Sequence, residues 1–155
     1  MAAPSAFQFY GKNINALKLS DLSGAVVNML LTTSVYAPDT SNTGHTVLAN
    51  ITNELATGNG YTAGGVALAT PATAVFSTTG FKFSTGNATW TGSGTGVPAW
   101  RFGVIYVVGA LWGVTSPLLG YFTGDSAPAD VPLTAAGNVL QINCPANGWF
   151  TDVRT

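Results

Sequence analysis

Apolar residues along this chain fall in short runs, and most of the runs alternate with a period of two. From 100 to 108, Trp100, Phe102, Val104, Tyr106 and Val108 fall on one side of an extended chain, and Arg101, Gly103, Ile105 and Val107 fall on the other. This is the strongest strand signal. Residues 25–33 form a continuous apolar run with paired valines, which predicts a strand buried on both faces. Further strands are expected at 61–70, kinked at Gly64-Gly65, and at 72–78, 80–84, 87–91, 118–122, 138–144 and 149–153. Turn-rich clusters separate them, among them 18–24, 38–44 and 57–60. The run Gly92-Ser93-Gly94-Thr95-Gly96 reads as a flexible linker or hairpin tip, the most mobile part of the chain.

One stretch, 45–55, has helical spacing. Val47, Ile51 and Leu55 recur four apart, Thr46 can cap the start, and Gly58 or Gly60 can end it. No longer amphipathic helix survives the 19 glycines and 8 prolines. Phe7 and Phe9 share a face at period two, so residues 1–12 are either an N-terminal arm or the first strand. The fold expected is all-β: residues 13–155 form a single β-sandwich, jelly-roll or Ig-like, of about 8 strands with one short helix. Phe7, Phe9 and Tyr10 are the residues expected at an interface, the arm adding a strand to a neighbour's edge.

Charge changes this picture. Only 7% of the 155 residues are ionised and the net charge is −1, against about 25% charged in an average soluble protein. A folded monomer of this size exposes roughly 7,300 Å², and eleven charged side chains cover little of it. So few repelling groups favour association. Lys12, Lys18, Lys82, Arg101 and Arg154 are scattered and draw no basic stripe, which argues against nucleic acid. The longest strongly apolar run, 104–114, is shorter than the roughly 20 residues of a spanning helix, so no membrane partner is expected. The first ten residues have neither the cationic start nor the apolar stretch of a signal peptide. The single cysteine, Cys144, reads as a small buried hydrophobe.

Candidate chemistry is sparse. His45 is the one histidine, and no Gly-x-Ser-x-Gly elbow accompanies it, so a nucleophilic triad has no base in place. Glu54 is the one glutamate. It could form a carboxylate pair with Asp39, Asp125, Asp130 or Asp152, as glycoside hydrolysis requires. Alternatively it pairs with Arg101 or Lys82, or caps a backbone amide, and that structural role is the favoured reading. Asp125 and Asp130 share a loop without the spacing of a calcium site. Arg101 belongs at a sheet margin or in an ion pair. Trp90, Trp100, Trp112 and Trp149 are either core or, if exposed, a sugar-stacking platform. No catalytic, cofactor or metal residue is assigned, and no enzyme activity is expected.

The pieces in order resemble a family of small structural proteins of tailed bacteriophages. The likeness runs through Phe9-Tyr10, residues 26–39, residues 45–55 with Asn53-Glu54, then Gly58-Asn59-Gly60-Tyr61 and Gly64-Gly65. It continues through Thr89-Trp90-Thr91, residues 101–106, residues 117–122 and Gly148-Trp149-Phe150, and so covers nearly the whole chain. The resemblance implies a virion component without catalytic residues, made in the host bacterial cytoplasm. A capsid decoration (cement) protein that binds the major capsid protein and copies of itself is the first expectation. A tail adaptor, tip or fibre-associated protein contacting tail or portal proteins is the second. A carbohydrate-binding sandwich is the third, carried by the tryptophans alone.

Overall fold

The computed structural model describes residues 4–127 and 129–153, so Arg154 lies outside it, as do residues 1–3 of the N-terminal segment. In chain order the elements are β1 (Gln8–Phe9), α1 (Gly11–Ile14), α2 (Leu19–Leu22), β2 (Val27–Thr32), a 3₁₀ turn (Leu48–Asn50), β3 (Val66–Ala67), β4 (Ala72–Ser77) and β5 (Gly80–Ser84). They continue with β6 (Ala88–Thr91), β7 (Phe102–Val107), β8 (Ala110–Leu111), β9 (Val114–Thr115), β10 (Leu118–Thr123), β11 (Val139–Ile142) and β12 (Phe150–Val153). The fold is all-β, as expected. Among the described residues, eight strands have four to six residues and four have two each.

A five-stranded antiparallel sheet, ordered β1-β10-β7-β2-β3, forms one layer. Its strands alternate between two cores, with one break in β10. Val27, Met29, Leu31, Ile105, Val107, Leu119 and Phe122 enter the main core, while Leu30, Val104, Tyr106 and Leu118 enter a second, smaller core on the opposite face. The run at 25–33 is thus buried on both sides over Val27–Thr32, while Val26 before the strand is exposed. The register of β10 slips between Leu118 and Gly120, so Leu119 and Tyr121, two apart, serve different cores, and Tyr121 joins Leu118 in the smaller one. Across the main core lie two smaller sheets, β12-β5-β4 and β11-β6, which contribute Phe83, Phe150, Ala88, Trp90 and Ile142. This is a sandwich whose second layer is split.

The helix expected at 45–55 is one 3₁₀ turn followed by extended chain. Long-range partners claim its backbone instead. The amide of Leu48 donates to Ser116, that of Leu55 donates to Leu31, and Glu54 bridges to Thr32. The apolar positions also divide between layers: Leu48 and Ile51 cover the small core, and Leu55 enters the large one. The spacing of four therefore marks a segment passing round a sheet, not one face of a helix. The helices that do form, α1 and α2, are single turns that periodicity did not reveal.

Two further expectations change. The glycine run 92–96 is pinned, not loose. Ser93 donates to the carbonyl of Asn59, Thr95 to its side chain, and Gly92 to Asn138. Cys144 is half-buried against the main core and is not enclosed by it. Of the two readings of residues 1–12, the described part shows the strand: Gln8 and Phe9 pair with Tyr121 and Gly120 of the same chain.

Candidate functional site

The polar residues that carried the sequence reading gather at a corner against β2. Chain reversal at 53–65 needs left-handed residues, supplied by Asn53 (φ 56°), Asn59 (φ 56°) and the glycines. Glu54 Oε1 accepts the Tyr61 hydroxyl at 2.7 Å and the Gly64 amide at 2.5 Å. The Tyr61 oxygen in turn accepts the Leu31 amide at 3.0 Å. On the other side of the loop, the Tyr106 hydroxyl donates to the Gly64 carbonyl at 2.8 Å. Gly65, at φ 74°, lies so close to β2 that a Cβ there would collide with the Met29 carbonyl oxygen. The spacing Asn53-Glu54…Tyr61…Gly64-Gly65 is thus a device for seating a loop on a sheet. Burial raises the Tyr61 pKa well above the phenol range, and the Glu54 carboxylate beside it adds to the rise.

The other carboxylates considered as partners for Glu54 sit in separate settings. Asp39 caps the turn to Ser41, whose amide donates to Oδ1 at 3.0 Å and holds the Asp39 carboxyl below its ordinary value. Asp125 is buried and accepts the Ala127 amide. Asp130 accepts Arg101 Nε at 3.0 Å and the Ser34 hydroxyl at 3.2 Å. Asp152 lies on β12. Arg101 is therefore both marginal and paired, and Lys82 donates to the Ala146 carbonyl. No group of three or more His, Cys, Asp or Glu able to hold a metal occurs among the described residues. Nor does any helix among them reach the length and apolarity needed to cross a membrane.

His45 belongs to the small core. Its Nδ1 is 2.9 Å from the Tyr36 hydroxyl, which is 2.7 Å from the Tyr10 hydroxyl. A neutral imidazole protonated at Nε2 accepts from Tyr36 and leaves Tyr36 to accept from Tyr10. The Tyr36 and His45 rings stack at 5.6 Å. Nearby, the buried Asn13 side chain donates to both the Thr46 and Leu118 carbonyls, at 2.6 and 2.8 Å. That clamp ties the covering loop to β10. The sequence offered no cue for it, because nothing local connects position 13 with 118.

The residues expected at an interface divide. Phe7 and Phe9 do share a face, and both rings pack on Phe150, at 5.6 and 4.7 Å. Tyr10 turns to the other side of the sheet and is fully buried. All three pack against their own chain, with Phe9 in the edge strand β1. Trp90, Trp100 and Trp149 are buried, and Trp112 is half-buried with its indole N–H on Asp21, so they form no exposed stacking platform.

What the surface does offer is apolar. A groove of about 570 Å³ runs between α1–α2 and the β12-β5-β4 sheet, lined by Phe9, Ile14, Leu17, Leu19, Phe81 and Phe150 among others. Val26, Val35 and Val75 stand more than half exposed. Val26 and Val75 were expected in strands, but exposure depends on how the sheets pack, and that is a tertiary fact. Compared against family models, curated proteins and solved structures, the chain matches none of them.

Proposed function

We propose that the chain is a structural component of a bacteriophage virion, acting as a capsid decoration protein that binds the outside of the shell. The observation that carries the reading is the surface. The described chain exposes 7454 Å², and the whole sequence brings only eleven charged side chains. Nine large hydrophobic residues stand exposed among those described. Such a surface suits a protein that works packed against neighbours. The resemblance to phage structural proteins points the same way. Its most specific motif, Asn53-Glu54 to Gly64-Gly65, does architectural work here, as a purely structural family requires.

The mechanism is mass action. A protein that binds the assembled shell and not its separated subunits stabilises the shell by an amount set by its concentration over its dissociation constant. Repeated copies would occupy symmetry-related positions. Imaging of particles that contain the protein tests the location. Density repeated over the shell at symmetry-related sites is expected. Density confined to the tail or one vertex would replace the decoration role with that of a tail adaptor or fibre-associated protein.

A further inference from the structure

We propose that His45 is an acid-sensitive latch, which holds the loop 37–45 against the small core while its imidazole is neutral and lets go when the ring is protonated. The latch is independent of the virion reading, and a protein that never joined particles would keep it. His45 closes the loop by engaging both backbone groups of Asp39. Its own amide donates to the Asp39 carbonyl at 3.0 Å, and its Nδ1 accepts the Asp39 amide in a long bond of 3.5 Å. The same Nδ1 accepts the Tyr36 hydroxyl at 2.9 Å. One ring nitrogen therefore joins the loop to a buried tyrosine. The remaining backbone fastening is thin: Thr40 accepts the Gly11 amide, and Gly44 donates to Ser41 within the loop. Residues 39–43 are exposed.

The number of protons decides whether the latch holds. Tyr10 and Tyr36 bring two hydroxyl protons, and among the described residues their oxygens bond only to each other and to Nδ1. With Nδ1 bare, Tyr10 donates to Tyr36, Tyr36 donates to Nδ1, and both protons are used. A proton on Nδ1 makes three for the same two contacts. Tyr36 can turn round and accept from Nδ1. Then either its own proton or that of Tyr10 has no acceptor, and both side chains are buried. The Asp39 amide meanwhile faces a donor in place of an acceptor. The conflict ends when the ring leaves the tyrosines and carries its charge into water.

The titratable groups that face the ring are Tyr10, Tyr36 and Asp39, with Tyr121 of β10 packed behind Tyr10. Lys12 of α1 forms no ion pair among the described residues. The tyrosines stay neutral over the range in which an imidazole changes charge. Asp39 is charged there, and its carboxylate attracts an imidazolium. That carboxylate is exposed and held by the Ser41 amide, so its pull is toward solvent and away from Tyr36.

NMR of the imidazole nitrogens from about pH 8 to about pH 5, with hydrogen exchange corrected for the intrinsic effect of pH, tests the latch on the wild-type chain. A single histidine gives a single set of signals. The expected ring at the alkaline end is neutral and protonated at Nε2. On acidification the amides of Asp39, Gly44 and His45 should lose roughly tenfold or more of their protection, the worth of one hydrogen bond. That loss should share the midpoint of the ring's own titration, while the amides of β7 keep their protection. His45→Asn, whose Oδ1 can stand in for Nδ1 but takes no proton, should hold the loop's protection constant over the same range. A ring protonated at Nδ1 at the alkaline end overturns the proposal. So does a ring that takes up its proton with the loop's protection unchanged, or one that stays neutral to the acid end. The wild-type chain delivers these results even if the variant folds poorly.

Discussion

The hydroxyls of Tyr10 and Tyr36 lie 2.7 Å apart, buried beneath the loop that ends at His45. Burial pushes the Tyr36 pKa up to about 12 and raises that of Tyr10 further, because an anion there would lose its water. Tyr61, Tyr106 and Tyr121 are raised for the same first reason, so all five tyrosines are affected.

A pH dependence follows. Above pH 10 the unfolded chain sheds phenolic protons that the folded chain retains, so the folded state binds more protons and stability falls as pH rises. The contribution is complete below the unfolded value of 10.0 and is lost as pH climbs from there through about 12 and beyond. Tyrosinate absorbance should stay flat through pH 10 in the folded protein and then rise together with loss of structure. A gradual rise centred on pH 10 with the fold intact would contradict the burial described.

Glu54 separates structural work from catalysis. Glu54→Ala leaves the Tyr61 hydroxyl and Gly64 amide without their acceptor, and should cost about 2–4 kcal/mol. Glu54→Gln keeps an oxygen in place and should cost about 1 kcal/mol. Denaturant unfolding measures both, and equal losses in the two variants would argue against the hydrogen-bonding role.

Gly65 tests the seating of the same loop on β2. Gly65→Ala places a methyl group against the Met29 carbonyl and should cost more than about 2 kcal/mol. Gly137 has a similar φ, 80°, but nothing within 4 Å of an added Cβ. Gly137→Ala should therefore cost only about 1 kcal/mol of backbone strain. Thermal unfolding of the pair reads the difference.

Phe9 distinguishes a strand from an arm. Its ring packs on Phe150 within the same chain, so Phe9→Ala should destabilise the isolated protein by about 1–3 kcal/mol, less than a fully buried phenylalanine. An arm residue would leave the isolated protein unchanged and alter only assembly.

Much of the architecture was legible because strand alternation is a local signal. The two faces of residues 102–107 and the doubly buried stretch Val27–Thr32 emerge as read, since each position's side follows from parity alone; Trp100, expected beside Phe102 and Val104, precedes the strand and enters the main core instead. The 45–55 segment misled because a spacing of four also arises when a chain crosses from one core to another. Residues 92–96 misled because glycine permits mobility without requiring it, and Asn59 supplies the bonds that hold the run. That Glu54 caps a backbone amide was legible, and Gly64 supplies that amide; the relay through the Tyr61 hydroxyl was not, because its further partner, the Leu31 amide, comes from a distant strand. The groove had no local signature, since α1, α2 and the β12-β5-β4 sheet that line it are brought together from distant parts of the chain.

Co-sedimentation of the purified protein with phage particles lacking it tests the central claim most directly. Saturable binding to the particles, with a rise in the temperature at which the shells break, is the result this account requires. A protein that stays in the supernatant at every concentration and leaves shell stability unchanged would contradict it.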